Sequence, residues 1–374
     1  MAAPSENASD CSVSYDVIED LAGQNITEEV VAIWPCELRS FWEEILPFVD
    51  LVRFLLSYGT SLIVLVGVMG NILSFIVLTQ RQMRSNAQNV YLSVLAIYDT
   101  CTLVFNFMVG IMRGSSSQDI NRTFQESEAL CTLHGVVVEL FNILSVWILV
   151  AFTVERFIMF KFPLKYKPSL KNTYITVTVV SVLVALISLH KIAVSGFEGD
   201  SVYGYKACKT RRKIFKEIIY LYVALNTWLP TTLITCVNLV IIHEMRLNRR
   251  RRDQLTQSIM SGADDKTTRL LLLVSTRYVL LVLPLGVVQT TELIWNGSMA
   301  VLTGNAGYVD FMVTKIRLKW TRAFFFFFYQ FNFAINFFLY LKSSSAKQFR
   351  FYLRQVLGMK QGQSLTFITE LHLC

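Results

Sequence analysis

Residues 54 to 80 read FLLSYGTSLIVLVGVMGNILSFIVLTQ, twenty-seven positions without an acidic or basic side chain. A helix that crosses the hydrocarbon layer needs roughly 20 apolar residues, and a surface helix of a soluble domain would need a polar face that this stretch lacks. The stretch therefore predicts a membrane span, and its charge-free length is the ruler for the rest of the chain. Six further gaps pass the same test: 85 to 112, broken only by Asp99; 129 to 154, broken only by Glu139; 172 to 190; 218 to 243; 270 to 291, broken only by Arg277; and 323 to 341. The composition agrees, since 53% of the 374 residues are hydrophobic and only 17% charged, well away from soluble usage. Seven cysteines without CxxC or Cys/His metal spacing argue against a zinc domain or a dense disulfide scaffold.

The net charge of +8 is unevenly placed. Residues 1 to 50 hold eleven of the 27 acids and a single base, Arg39, so the remainder is strongly basic. Connections that stay in the cytosol retain lysine and arginine. Those after the first, third and fifth gaps carry Arg81 and Arg84; Arg156, Lys161, Lys165, Lys167 and Lys171; and Arg246 with Arg249 to Arg252. The tail adds Lys342, Lys347, Arg350 and Arg354. These mark the inner side and leave the acidic N-terminus outside. The N-x-S/T acceptors at Asn7, Asn25, Asn121 and Asn296 all fall outside on this topology, an independent check because the modification occurs only in the lumen. The stretch Lys209 to Lys216 fits less well, as five bases on the outer side, and reads either as an exposed helix start or as a ligand-contact surface.

The first thirty residues have neither a basic start nor an apolar core, so the first span is expected to act as the insertion signal. Residues 1 to 30 read as a flexible acidic tail, and Trp34 to Phe48 as an interfacial helix lying against the outer face. After the last span, Phe349, Tyr352, Leu353, Val356 and Leu357 recur at helical spacing opposite Lys347, Arg350 and Arg354, the pattern of an amphipathic helix on the inner leaflet. Cys374 does not make a prenylation box. The fold class is thus an all-α membrane protein: a seven-transmembrane helix bundle with a short amphipathic eighth helix. Residues 1–52 form an extracellular acidic glycosylated tail, 53–342 the membrane domain, and 343–374 a cytoplasmic helix and tail.

Polar groups at membrane depth are costly and are functional candidates. Asp99 in span two could be surrounded by Asn71 of span one, Ser145 of span three, and Asn332 and Asn336 of span seven. Such a group either supplies oxygens to a small cation such as sodium or packs the helices by hydrogen bonds alone. Glu139 lies 17 residues before Arg156, about 25 Å along a helix, in the outer part of span three. It is a candidate to hold a ligand cation, with the alternative of pairing with a neighbouring polar group. Asn142, one turn inward, and Glu292, past the end of the sixth gap, are assigned to the same cavity. Arg277 lies too deep to reach Glu139, and the sequence names no partner for it. Pro230 and Pro284 interrupt spans five and six as hinges or static bends. The run Phe324 to Phe328 reads as lipid-facing packing.

Together these marks resemble the rhodopsin-like G-protein-coupled receptors over roughly residues 53 to 357. Gly70-Asn71, Leu95-Ala96 with Asp99, Cys131 opening the third span, Glu155-Arg156-Phe157 closing it, and Asn336-Phe337-Phe338-Leu339-Tyr340 occur in the family's order. The resemblance implies a Cys131–Cys208 disulfide in the oxidising compartment, with Cys11 and Cys36 as candidates for a second. It implies that Arg156 is the switch, paired with Glu155 at rest and completed by Asp264 or Asp265, with Phe157, Asn336 and Tyr340 in the same machinery. It also matches Asp99, Ser145, Asn332 and Asn336 to the family's sodium positions, and that ion is the only cofactor expected. The sequence departs from the family in span six, where Leu281-Val282-Leu283-Pro284 removes the aromatic toggle. Phe337 replaces the seventh-span proline and Asn238 stands where a tyrosine is usual.

Residues 145 to 157 look most like invertebrate FMRFamide-type neuropeptide receptors, and Val138 stands where aminergic receptors keep an aspartate and is grouped with the ligand contacts. The expected protein is therefore a non-enzymatic plasma-membrane receptor for an extracellular peptide, coupled to a heterotrimeric G protein and surrounded by lipid, with no nucleic-acid partner. A chemosensory or small-molecule receptor is the alternative, and a non-signalling scavenger a third. A retinal-linked pump would need a lysine in 323 to 341, an intramembrane aspartyl protease a second aspartate beside Asp99, and a transporter paired repeats.

Overall fold

The computed structural model describes residues 34–114, 127–162, 169–190, 192, 195–199, 206–210, 216–255, 262–297, 305–342 and 346–358. Helix α1, Cys36–Leu78, contains Pro47 and a π-turn at Leu55–Gly59 yet continues through both. It is followed by α2 (Ala87–Gly114), α3 (Glu128–Lys161) and α4 (Leu170–Ser188). A hairpin of β1 (Ser195–Gly199) and β2 (Lys206–Thr210) precedes α5, which runs through Lys216–Val223, a π-turn at Ala224–Trp228, and Leu229–Leu255. Then come α6 (Gly262–Gly297), α7 (Asn305–Ala334), α8 (Asn336–Lys342) and α9 (Ala346–Val356).

Six helices are long and apolar enough to cross a membrane, and α7 with α8 makes the seventh crossing as a pair bent by 50°. The expected bundle is present, and the hairpin is its one non-helical element among the described residues. Helix α4 is peripheral: Ile175, Val179, Val182, Leu183 and Leu186 all point away from the protein. Such a row of branched side chains is tolerable where the solvent is lipid and would be an aggregation surface in water.

The bend between α7 and α8 occurs without the family's proline. The carbonyl of Phe333, two residues before the break at Ile335, accepts from Asn71 Nδ2 at 2.9 Å. A side chain inserted into the helix ladder is a known cause of sharp kinks, so span one holds span seven open. Phe337, in the proline's place, packs against Gly70, where a Cβ would stand 3.0 Å from its own. In α9, Phe349 and Leu353 are buried, with Phe349 against the rings of Phe337 and Tyr340, and Tyr352 Oη donates to Gln82 Oε1.

Two expectations need correction. Trp34 to Phe48 does not lie flat on the bundle; it is the first part of α1, coaxial with span one, because its partner is the beginning of α7 rather than a membrane surface. Trp34, Leu38, Phe41 and Trp42 form a second core with Phe311 and Ile316, separate from the main one. The run Phe324 to Phe328 does not all face lipid either. Five consecutive helical residues sweep more than a full turn, and Phe327 is buried against Gly59 while Phe328 is exposed.

Close approach of α1, α2 and α7 depends on Gly67, where a Cβ would lie 2.6 Å from Leu103 Cδ1 and 3.0 Å from the backbone Cα of Ala334. Gly67→Val is expected to cost about 1–3 kcal/mol by overpacking, measured as a lower thermal midpoint of the detergent-purified chain beside a Leu280→Val control, whose side chain is exposed.

Candidate functional site

The centre of the bundle holds a carboxylate. Asp99 is 1% exposed; its Oδ1 accepts from Ser145 Oγ of α3 and its Oδ2 from Asn336 Nδ2 of α8, both at 2.5 Å. Asn336 opens α8 just beyond the bend, so the break that Asn71 maintains also delivers Asn336 to the acid. A small cavity, with room for about one water molecule, is lined by Asp99, Ser145, Asn332, Asn336 and Arg277 among apolar neighbours. All four residues expected to hold sodium are therefore brought together. The fifth polar member was not foreseen: Arg277 Nη2 donates to Asn332 Oδ1 at 3.1 Å. A sodium ion does not fit this arrangement, because one oxygen it would need is committed to a guanidinium and that positive charge lines the same space.

Outward from this centre, the candidate ligand residues have partners of their own. Glu139, 3% exposed, has His190 Nε2 of the α4 end at 3.3 Å from its Oε1. Tyr222 of α5 lies within the same electrostatic neighbourhood. Asn142 and Asn106 of α2 exchange amide bonds at 3.2 and 3.5 Å. Val138 is half-buried. Glu292 Oε2 is 2.6 Å from Arg322 Nε of α7, and Lys315 and Lys319 also act on it. Glu139 and Glu292 thus lie on different sides of the outer half, each facing a base of this chain. Arg322 had a sequence signal, a base at the outer edge of the last charge-free gap; His190 had only its place at the end of the fourth.

The departures in spans five and six find a structural counterpart. Pro230 has no N–H to give to the carbonyl four residues earlier, and that carbonyl, of Asn226, accepts from Tyr278 Oη of α6 at 3.4 Å. Leu225 O, in the same π-turn, accepts from Trp147 Nε1 of α3 at 3.1 Å, and Trp228 Nε1 donates to Thr290 Oγ1 of α6 at 2.9 Å. The opened turn of α5 is thus the knot that joins α3, α5 and α6. Lower down, Asn238 Nδ2 donates to Ser275 Oγ at 2.8 Å, again α5 to α6.

At the inner end, Glu155 and Arg156 are buried and Phe157 packs against the core. The Arg156 guanidinium lies over the Phe152 ring at 5.3 Å, and Glu155 Oε1 accepts no hydrogen bond. Lys161 Nζ meets Glu244 Oε1 at 2.9 Å, tying α3 to α5. Tyr340 is buried. The side chains of Asp264 and Asp265 lie outside the described residues, as do Asn7, Asn25, Asn121 and the side chain of Asn296. Cys131 sits in the first turn of α3 and Cys208 in β2, opposite Phe197, but their side chains too are outside the description. Cys36 is disulfide-bonded; Cys11 lies outside the described residues.

The chain is 29% identical to the neuromedin U receptor homolog nmur-2 of Caenorhabditis elegans over 42% of its own length and 35% of the relative's. It is 20% identical to the GQ-coupled rhodopsin of Mizuhopecten yessoensis over 58% of its length and 44% of that protein's. The matched part is therefore less than half of either relative. Residues 58–360, about four-fifths of the chain, match the family described as serpentine type 7TM GPCR chemoreceptor Srw. This multi-span membrane protein belongs to that family of G-protein-coupled receptors.

Proposed function

We propose that the chain is a plasma-membrane receptor, N-terminus outside, that binds an extracellular peptide and activates a heterotrimeric G protein. The observation that carries the peptide class is the likeness to the nematode neuromedin U receptor homolog. The finer likeness to FMRFamide-type receptors rests on residues 145 to 157 alone. Binding shifts a pre-existing equilibrium by the ligand's differential affinity for two arrangements of the bundle. The element that must move is α6, whose outer end is tied to α7 by Glu292–Arg322 and whose middle is tied to α5 by Tyr278, Trp228 and Ser275. A ligand seated beside Trp147 and the α5 π-turn acts on those ties directly, which supplies the route that an aromatic toggle would otherwise serve. Arg156 then exchanges its partners as α6 leaves, with Asn336 and Tyr340 following at α8.

A second reading, a chemosensory receptor for a small molecule, is favoured by the description of the matched family. A library of amidated peptides screened against calcium and cAMP reporters, with odorant-like compounds as the competing set, separates the two. A peptide agonist is the expected result; responses confined to the small molecules overturn the peptide reading.

Arg156→Ala is expected to abolish G-protein activation while the chain still reaches the surface; unchanged signalling removes Arg156 from the switch. With an agonist in hand, Glu139→Gln should weaken potency by about tenfold, the equivalent of about 1.4 kcal/mol, and unchanged potency takes Glu139 out of the pocket. Asn238→Ala and Ser275→Ala should each cost about 0.5–1.5 kcal/mol, and the pair no more than either alone, in a double-mutant cycle on thermal stability.

A further inference from the structure

We propose that Arg277 is the permanent counter-cation of Asp99: a guanidinium built into α6 that occupies the place a mobile sodium ion would take among Asp99, Ser145, Asn332 and Asn336. This receptor's central cation site is filled by the chain itself.

Four observations lead there. Asp99 is the only acid among the residues that line the cavity, and Arg277 is the only base. Arg277 feels the field of Asp99, and Asp99 that of Arg277, as the leading charge partner of each. Three oxygens around the cavity already accept hydrogen bonds, Asp99 Oδ1 from Ser145, Asp99 Oδ2 from Asn336 and Asn332 Oδ1 from Arg277 itself, which leaves Asn336 Oδ1 as the buried oxygen of the four residues without one. The guanidinium nitrogens Nε and Nη1 are sealed from solvent and hydrogen-bond to nothing, so the positive charge is not dispersed into water or toward another acid. A buried charge of this kind persists where an opposite charge shares its enclosure.

Arginine suits the position because its charge cannot be discharged and its planar fork can hold Asn332 with one arm while presenting its charge to Asp99. The arrangement has a consequence that a diffusible ion lacks. A sodium ion can leave when the bundle rearranges, whereas Arg277 is covalently part of α6. Any outward movement of α6 must therefore draw the cation away from Asp99 or carry it along, and the strength of that tie is set by the sequence and not by the salt outside the cell. The inference concerns the folded chain alone and stands or falls independently of what the ligand is.

The test uses the full-length chain purified in detergent, with its thermal midpoint measured in sodium chloride and in N-methyl-D-glucamine chloride at equal ionic strength. Wild type and Arg277→Lys are expected to have the same midpoint in both salts. Arg277→Met, which vacates the charge and keeps an apolar stem, is expected to gain a saturable sodium-dependent rise of a few degrees. Saturable stabilisation of wild type by sodium, or none in a folded Arg277→Met, overturns the proposal. If Arg277→Met does not fold, the answer comes from Asp99→Asn and the double variant Asp99→Asn/Arg277→Met. Recovery of folded yield in the double variant over both single ones supports the pairing, and a yield no better than that of the better single variant overturns it.

Discussion

A carboxylate in the middle of an apolar bundle cannot be solvated by water, and it must be met by groups that the chain brings from elsewhere. Asp99 imposes that condition, and much of the architecture answers it. Ser145 arrives from α3, Arg277 lines the cavity from α6, and Asn336 arrives at the head of α8. Asn336 is there because the last span breaks, and the break is held by Asn71 on the opposite neighbour. Four of the seven crossings are thus joined to α2 through one acid, directly or at one remove. The close packing of Gly67 against Leu103 and Ala334 lets those helices approach to the distance that such contacts need.

The count of crossings was legible because lipid selects for uncharged length, a property that needs no knowledge of the partner. Where a helix extends beyond the lipid, that ruler fails. Glu37, Glu43, Glu44, Asp50 and Arg53 interrupt the apolar count before span one, and Lys315, Arg317, Lys319 and Arg322 do so before span seven, yet α1 and α7 run through both stretches. Three of those bases lay their charged ends over aromatic faces: the Arg53 guanidinium over Trp320, that of Arg317 over Phe41 and the Lys315 ammonium over Phe311.

Pairings were harder to read than elements. The cluster of Asp99 with Ser145 and Asn336 could be anticipated from residue type and span. The place of Arg277 could not, because it depends on how α6 is rotated about its axis, and its closest polar partner, Asn332, is 55 residues away along the chain. Glu139 likewise finds His190 by the packing of α3 on α4, which no spacing within one helix encodes. The span-six aromatic is absent, and the opened turn of α5 offers Asn226 and Leu225 carbonyls to Tyr278 and Trp147, joining α5 to α6 and α3. Proline earns its place in α5 through the acceptor it leaves unused.

The long α1 has a geometric consequence for anything arriving from outside. At 1.5 Å per residue its 43 residues extend about 65 Å, roughly twice the hydrocarbon thickness, so it rises well above the lipid as a mast. Trp34, Trp42, Trp295, Phe311 and Trp320 bind it to the neighbouring stem of α7 and the top of α6. Among the described residues the outer face is therefore uneven: α1 and α7 stand together on one flank, while the hairpin lies against α3.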